Sequence, residues 1–172
     1  MADPPRYTDR PLPRYRHLLG RTPHPVRHPD GHSYGVTPPL PTPIRGDDWQ
    51  GNEEFLYGID LFNLGFWWES HEALEGLWHV SGRRSPVGHC LQTVIQCAAA
   101  HLQAELGRAR GGEALLRRAR VHAASAGETR LGLDLDALLR GTRDFVHDPT
   151  GPAARLRLAW PDGGEADPSR AS

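Results

Sequence analysis

Apolar residues recur at three- and four-residue spacing through the middle of the chain, and polar, proline- and glycine-rich sequence flanks them on both sides. Phe55, Leu56, Ile59 and Phe62 form the first helical set. Asp47 or Asp48 is its expected cap, with Trp49, Glu53 and Glu54 in the first turns. Asn63-Leu64-Gly65 reads as a stop, because glycine takes positive φ freely. A second helix is expected from about Phe66 to Val80, ended by Ser81-Gly82. The short connection between the two predicts an antiparallel helical hairpin. Ser85-Pro86 opens a third helix, with Val87, Leu91, Val94, Ile95, Ala98 and Leu102 as its apolar stripe and Gly107 at its end. Gly111-Gly112 reads as a connector to a fourth helix, about Glu113 to Ala126. Asp134 caps a fifth, which holds Leu135, Leu138, Leu139, Phe145 and Val146. The expected fold is all-α, a compact bundle of about five helices.

The flanks set the expected domain limits. Residues 1–46 hold eleven of the 16 prolines, which forbids long helices there. The same stretch carries Tyr7, Tyr15, Leu18, Leu19, Val26, Tyr34 and Ile44, enough apolar surface to lie on a folded body. It reads as an extended Pro/His-rich N-terminal arm packed on the bundle. Residues 47–148 are the bundle domain. Residues 149–172 read as a flexible C-terminal tail, with Trp160 as the one residue suited to dock back.

Composition narrows the function classes. The hydrophobic fraction is 38%, so the central region, about 100 residues, must carry the core. Formal net charge is -1, so no global field favours nucleic acid or a membrane surface. Arg108, Arg110, Arg117, Arg118 and Arg120 form a basic face without any recognition motif. Cys90 and Cys97 sit two helical turns apart, about 10 Å, too far for a disulfide, and read as buried free thiols. No apolar run reaches membrane-spanning length, and the N-terminus lacks the apolar core of a signal peptide. A cytoplasmic location is the default expectation. No phosphate loop, dinucleotide fingerprint, nucleophile elbow or cysteine zinc site is present.

The candidate chemistry lies in the second helix. Helical spacing puts Trp67, Trp68, His71, Leu74, Glu75 and Trp78 on one stripe, with Glu72 at its border and Glu69 further round. Ionisable groups against a core must be paired, protonated or bound to something. His71 and Glu75 are an i,i+4 pair, and His71-Glu72-x-x-Glu75 resembles a zincin motif with glutamate in place of the second histidine. Carboxylates and imidazoles ligate zinc, iron and manganese, so a divalent transition metal is the candidate cofactor. His71, Glu75 and Glu72 are therefore the catalytic candidates. His71 and Glu75 are the metal candidates, joined by His24 and His32 from the arm. Glu69, Trp78, Gln92 and Gln96 are further pocket candidates. The structural alternative is that these groups lock neighbouring helices through hydrogen bonds.

Two motifs carry a resemblance. Leu61-Phe62-Asn63-x-Gly65-x-x-x-Glu69-x-His71-Glu72-x-Leu74-Glu75-x-x-Trp78, followed by Leu91-Gln92-x-x-Ile95-Gln96-x-Ala98-Ala99-Ala100, resembles domain-of-unknown-function family 309 over roughly residues 53–125. The resemblance implies a small all-α bundle whose first hairpin is similar to a tetratricopeptide unit. It maps signature residues onto Glu69, His71, Glu72, Glu75, Trp78, Gln92 and Gln96. The arm, with Pro23-His24-Pro25 and Gly31-His32-Ser33-Tyr34, looks like an extension found in some bacterial members. Trp67-Trp68 and Ser70 depart from the commoner pattern, which has alanine at the latter position. The resemblance transfers no activity.

Two functions follow as expectations. One is a metal- or acid/base-dependent enzyme on a small molecule, using the His/Glu cluster. The other is a non-enzymatic scaffold for a protein or peptide, in which the cluster is structural. A homodimer is expected for a helical bundle of this size.

Overall fold

A computed structural model describes residues 4–161. Five helices follow in order: α1 Glu53–Asn63, α2 Trp67–Val80, α3 Pro86–Glu105, α4 Ala109–Ser125 and α5 Leu135–His147. No strand occurs among the described residues. α3 is the central helix and packs on α2, α4 and α5, while α1 packs on α2. Its stripe of Leu91, Val94, Cys97 and Ala98 is fully buried. Cys90 and Cys97 are free thiols, and burial pushes both up to about 12, so neither is a nucleophile at neutral pH.

The helix limits follow from their end groups. Ser85 caps α3 by accepting the Gly88 amide at 3.0 Å, and Asp134 caps α5 through the Ala137 amide at 2.8 Å. α1 and α3 both end in a Schellman turn. Phe66 N–H donates to Leu61 O and Gly65 N–H to Phe62 O, and Arg108 and Gly107 repeat the pattern on Gln103 and Ala104. The cap of α1 is neither Asp47 nor Asp48. Asn52 accepts the Phe55 amide at 3.0 Å and donates to Thr42 O at 2.8 Å, so its amide serves both the helix and the preceding chain. Gly111-Gly112 is not a connector but lies inside α4, where Gly112 is buried against Ala100 and Val146.

Two close contacts fix the hairpin. Gly58 of α1 sits so near α2 that a Cβ there would lie 2.7 Å from Leu74 Cγ. Ser70 Oγ donates to Gly58 O at 2.8 Å in the same seam.

The C-terminal segment differs from the expected flexible tail. Residues 154, 156 and 158 are buried and their neighbours 155, 157 and 159 exposed, the alternation of extended chain. Three side chains take alternate backbone amides. Ala154 N–H donates to His101 Nε2 at 3.2 Å, Leu156 N–H to Asn63 Oδ1 at 2.7 Å and Leu158 N–H to Tyr7 Oη at 3.0 Å. Asn63 also donates to Leu156 O at 2.8 Å. Trp160 docks on Trp49, with ring centroids 4.9 Å apart. Residues 162–172 of the expected tail lie outside the described residues.

His101 holds this segment to the core as a neutral ring. Its Nδ1–H donates to Cys97 O at 2.8 Å, which leaves Nε2 as the acceptor for Ala154. Phe62, Trp67 and Phe145 enclose it, the last stacked at 4.9 Å. Burial lowers its pKa to about 4. The unfolded chain binds the proton near pH 6.5 and the folded chain only near 4, so stability is full above pH 6.5 and falls as pH drops towards 4. The total loss is about 3 kcal/mol. Urea midpoints measured from pH 7 to pH 4.5 should decline accordingly, and His101→Gln, which cannot titrate, should flatten that decline.

Candidate functional site

Two carboxylates of the hairpin are buried on the side that faces the arm. Asp60 of α1 is fully buried. It accepts the Tyr7 amide at 2.8 Å, the Thr8 amide at 3.0 Å, Thr8 Oγ1 at 2.8 Å and Arg6 Nε at 3.3 Å. Four donors offset the cost of removing the charge from water. Glu69 of α2 is 6% exposed. Its Oε1 accepts the His17 amide at 2.8 Å and His32 Nε2 at 3.1 Å, and its Oε2 has no partner.

A folded loop of the arm delivers His32 to this carboxylate. His28 N–H donates to His24 O, Gly31 N–H to His28 O at 2.8 Å and Ser33 N–H to Pro25 O at 3.0 Å. Gly31 is required by space, since a Cβ there would collide with Pro25 O. Tyr15 steadies the ring edge-on at 4.8 Å, and its hydroxyl accepts the His32 amide at 3.3 Å. A carboxylate only accepts, so Nε2 of His32 carries a proton. Nδ1 lies 2.9 Å from Ser33 Oγ. Ser33, His32 and Glu69 thus form a continuous relay, with the His32 side chain only 6% exposed.

These three residues line a cavity of about 330 Å³ between the arm and α1–α2. Tyr57, Leu61 and Trp68 form part of its helical wall, and Val26, Val36 and prolines 13, 38, 39 and 41 its arm wall. Arg10 and Glu54 meet at 2.6 Å in the lining, and the guanidinium lies 4.1 Å over the Tyr57 ring. His17 and His24 stack edge-on against Trp68 at 5.1 and 5.6 Å. Burial, then the neighbouring His24, lowers the His17 pKa.

The residues singled out in the sequence divide between places. His71, Glu72 and Glu75 do come together, with one ligand atom from each within 4.8 Å of the others. His71 Nδ1 is 3.4 Å from Glu72 Oε1, and the two side chains are 30% and 46% exposed. The group lies on the open side of α2, not against the core, because Trp67, Ser70, Leu74 and Leu77 take the buried face. Neither arm histidine joins it: His32 is on Glu69 and His24 on Trp68. Trp78 is half-buried and its Nε1 donates to Arg83 O at 3.1 Å. Gln96 donates to Gln92 at 2.9 Å. No hydrogen bond among the described residues joins either glutamine to the acids of α2. Glu69, set at the margin by its helical position, is the most buried of the three glutamates of α2. Ser33, Tyr57 and Arg10 were not candidates, and Asp60 carried no signal beyond being a charge within an apolar stretch.

Residues 55–115 match the family model described as "Domain of unknown function (DUF309)". The chain carries a DUF309 domain. No curated protein matches the chain. The DUF309 segment runs from Phe55 in α1 to Leu115 in α4, within the span of the sequence resemblance. It contains Asp60, Glu69, Tyr57 and Trp68 but none of the arm, so the cavity joins DUF309 residues to residues outside the match. No helix among the described residues is long and apolar enough to cross a membrane.

Asp60 should decide whether the arm stays down. Asp60→Ala orphans two amides, a loss of about 2–3 kcal/mol. Limited trypsinolysis should then cut after Arg14, Arg16 and Arg21 on the order of tenfold faster, or more, than in the parent protein.

Proposed function

We propose that this protein acts on a small molecule in the arm–hairpin cavity, with His32 and Glu69 as its acid–base pair. One observation carries the reading: a carboxylate 6% exposed in the cavity lining holds an imidazole and keeps one oxygen unpartnered. Buried groups with spare hydrogen-bonding capacity are costly to a fold and cluster at sites of chemistry. The relay gives each group a role. Nδ1 of His32 takes a proton from the Ser33 hydroxyl or from a ligand in its place, and the Glu69 carboxylate holds the imidazolium that results. General base catalysis of this kind contributes about 10²–10⁴-fold.

The test uses a desalted small-molecule extract incubated with the protein and followed by proton NMR. Wild type should bind or convert at least one component. His32→Gln should reduce that by about 100-fold, while His71→Ala should leave it intact. Wild-type behaviour in His32→Gln, or loss in His71→Ala, would sink the reading. An extract left untouched by wild type would favour the scaffold alternative.

A second reading rests on the His71–Glu72–Glu75 group, whose ligand atoms converge within 4.8 Å at the protein surface. One imidazole and two carboxylates suit a divalent transition metal. On this reading, elemental analysis finds about one equivalent of metal in wild type and none in His71→Ala.

A further inference from the structure

The cavity lining is acidic. Glu54, Glu69 and Glu72 contribute to it against one cation, Arg10, since all 20 basic residues of the chain are arginines and only Arg10 lies there. The two ends of the lining differ in an informative way. At one, Arg10 bonds Glu54 and stacks over Tyr57, so a guanidinium sits between a carboxylate and an aromatic ring. At the other, Trp68 stands beside Glu69 and Glu72 in the lining. Among the described residues no arginine pairs with Glu69 or Glu72, and none lies over Trp68. The second end has the carboxylates and the ring but imidazoles in place of a guanidinium, His32 on Glu69 Oε1 and His71 on Glu72.

We infer that the cavity takes a small organic cation, an ammonium or guanidinium group on a short apolar body, with its charged head on Glu69 and Glu72 beside Trp68. The inference rests on the cavity reading above and names its ligand class. The unpartnered Glu69 Oε2 is an acceptor with no donor, and a positive head group supplies one as a charge-assisted hydrogen bond. The part of the Trp68 ring that lines the cavity, beyond its contacts with His17 and His24, adds cation–π attraction. Val26, Val36 and the lining prolines suit the apolar body and offer a carboxylate or phosphate nothing. Glu72, half-exposed, extends the negative potential outward and draws cations in.

Four probes with short alkyl chains test this by isothermal titration at low salt: butylammonium, butylguanidinium, butanol and butyrate. Either cation should bind, and the alcohol and the carboxylate should not. Glu69→Gln places an amide where Oε2 stood and should weaken the cation about tenfold, or roughly 1.4 kcal/mol. Glu72→Gln, at the half-exposed position, should weaken it about twofold to fourfold. Ala73→Phe should abolish binding by filling the cavity. Binding of butanol or butyrate as tight as that of butylammonium overturns the ligand class but leaves the acid–base reading, which His32→Gln judges separately. Binding of none of the four, or cation binding unchanged in Ala73→Phe, overturns the inference outright.

Discussion

Two carboxylates buried in the α1–α2 hairpin need donors that the helices cannot give, because helical amides are already spent on helical carbonyls. Asp60 and Glu69 obtain them from the arm, as main-chain N–H groups of Tyr7, Thr8 and His17. The arm is therefore the second half of a buried electrostatic contact, and its irregular backbone follows from the task. Regular structure would have consumed the same amides. Removing water from these acids costs free energy that the donors of the arm offset, which ties a stretch without helices to the α1–α2 hairpin.

The two acids are satisfied to different degrees. Asp60 has four donors and is a structural anchor. Glu69 has two on one oxygen and none on the other. Along α2, Glu69 is buried, Glu72 exposed and Glu75 partly buried, and only the first meets the imidazole of the arm. The cavity depends on this asymmetry. The helices supply its carboxylates and rings, a hydrogen-bonded loop supplies its imidazole, and the DUF309 segment alone holds only the former.

Helical periodicity disclosed all five helices, and the stops at Gly65 and Gly107 and the caps Ser85 and Asp134 stand where their chemistry places them. These are local rules, settled within a turn. The α1 cap was less legible because Asp47, Asp48 and Asn52 are all competent, and the contact with Thr42 chose among them. Gly111-Gly112 looked like a connector because helix propensity disfavours glycine, and packing against α3 and α5 overrode it. The alternation Ala154-Arg155-Leu156-Arg157-Leu158 was a visible strand-like signal, obscured by the glycine and proline on either side. Spacing puts Glu69 only at the margin of the stripe because helical periodicity describes burial by neighbouring helices. A second covering surface made of turns has no period, so the face of α2 that it buries cannot be read from spacing.

The contact between Leu158 and Tyr7 spans 151 residues. The amide of Tyr7 is held by Asp60, while its hydroxyl accepts from a segment at the far end of the described chain. One tyrosine thus serves both flanks of the bundle, and loosening either segment leaves a polar group of the other without its partner.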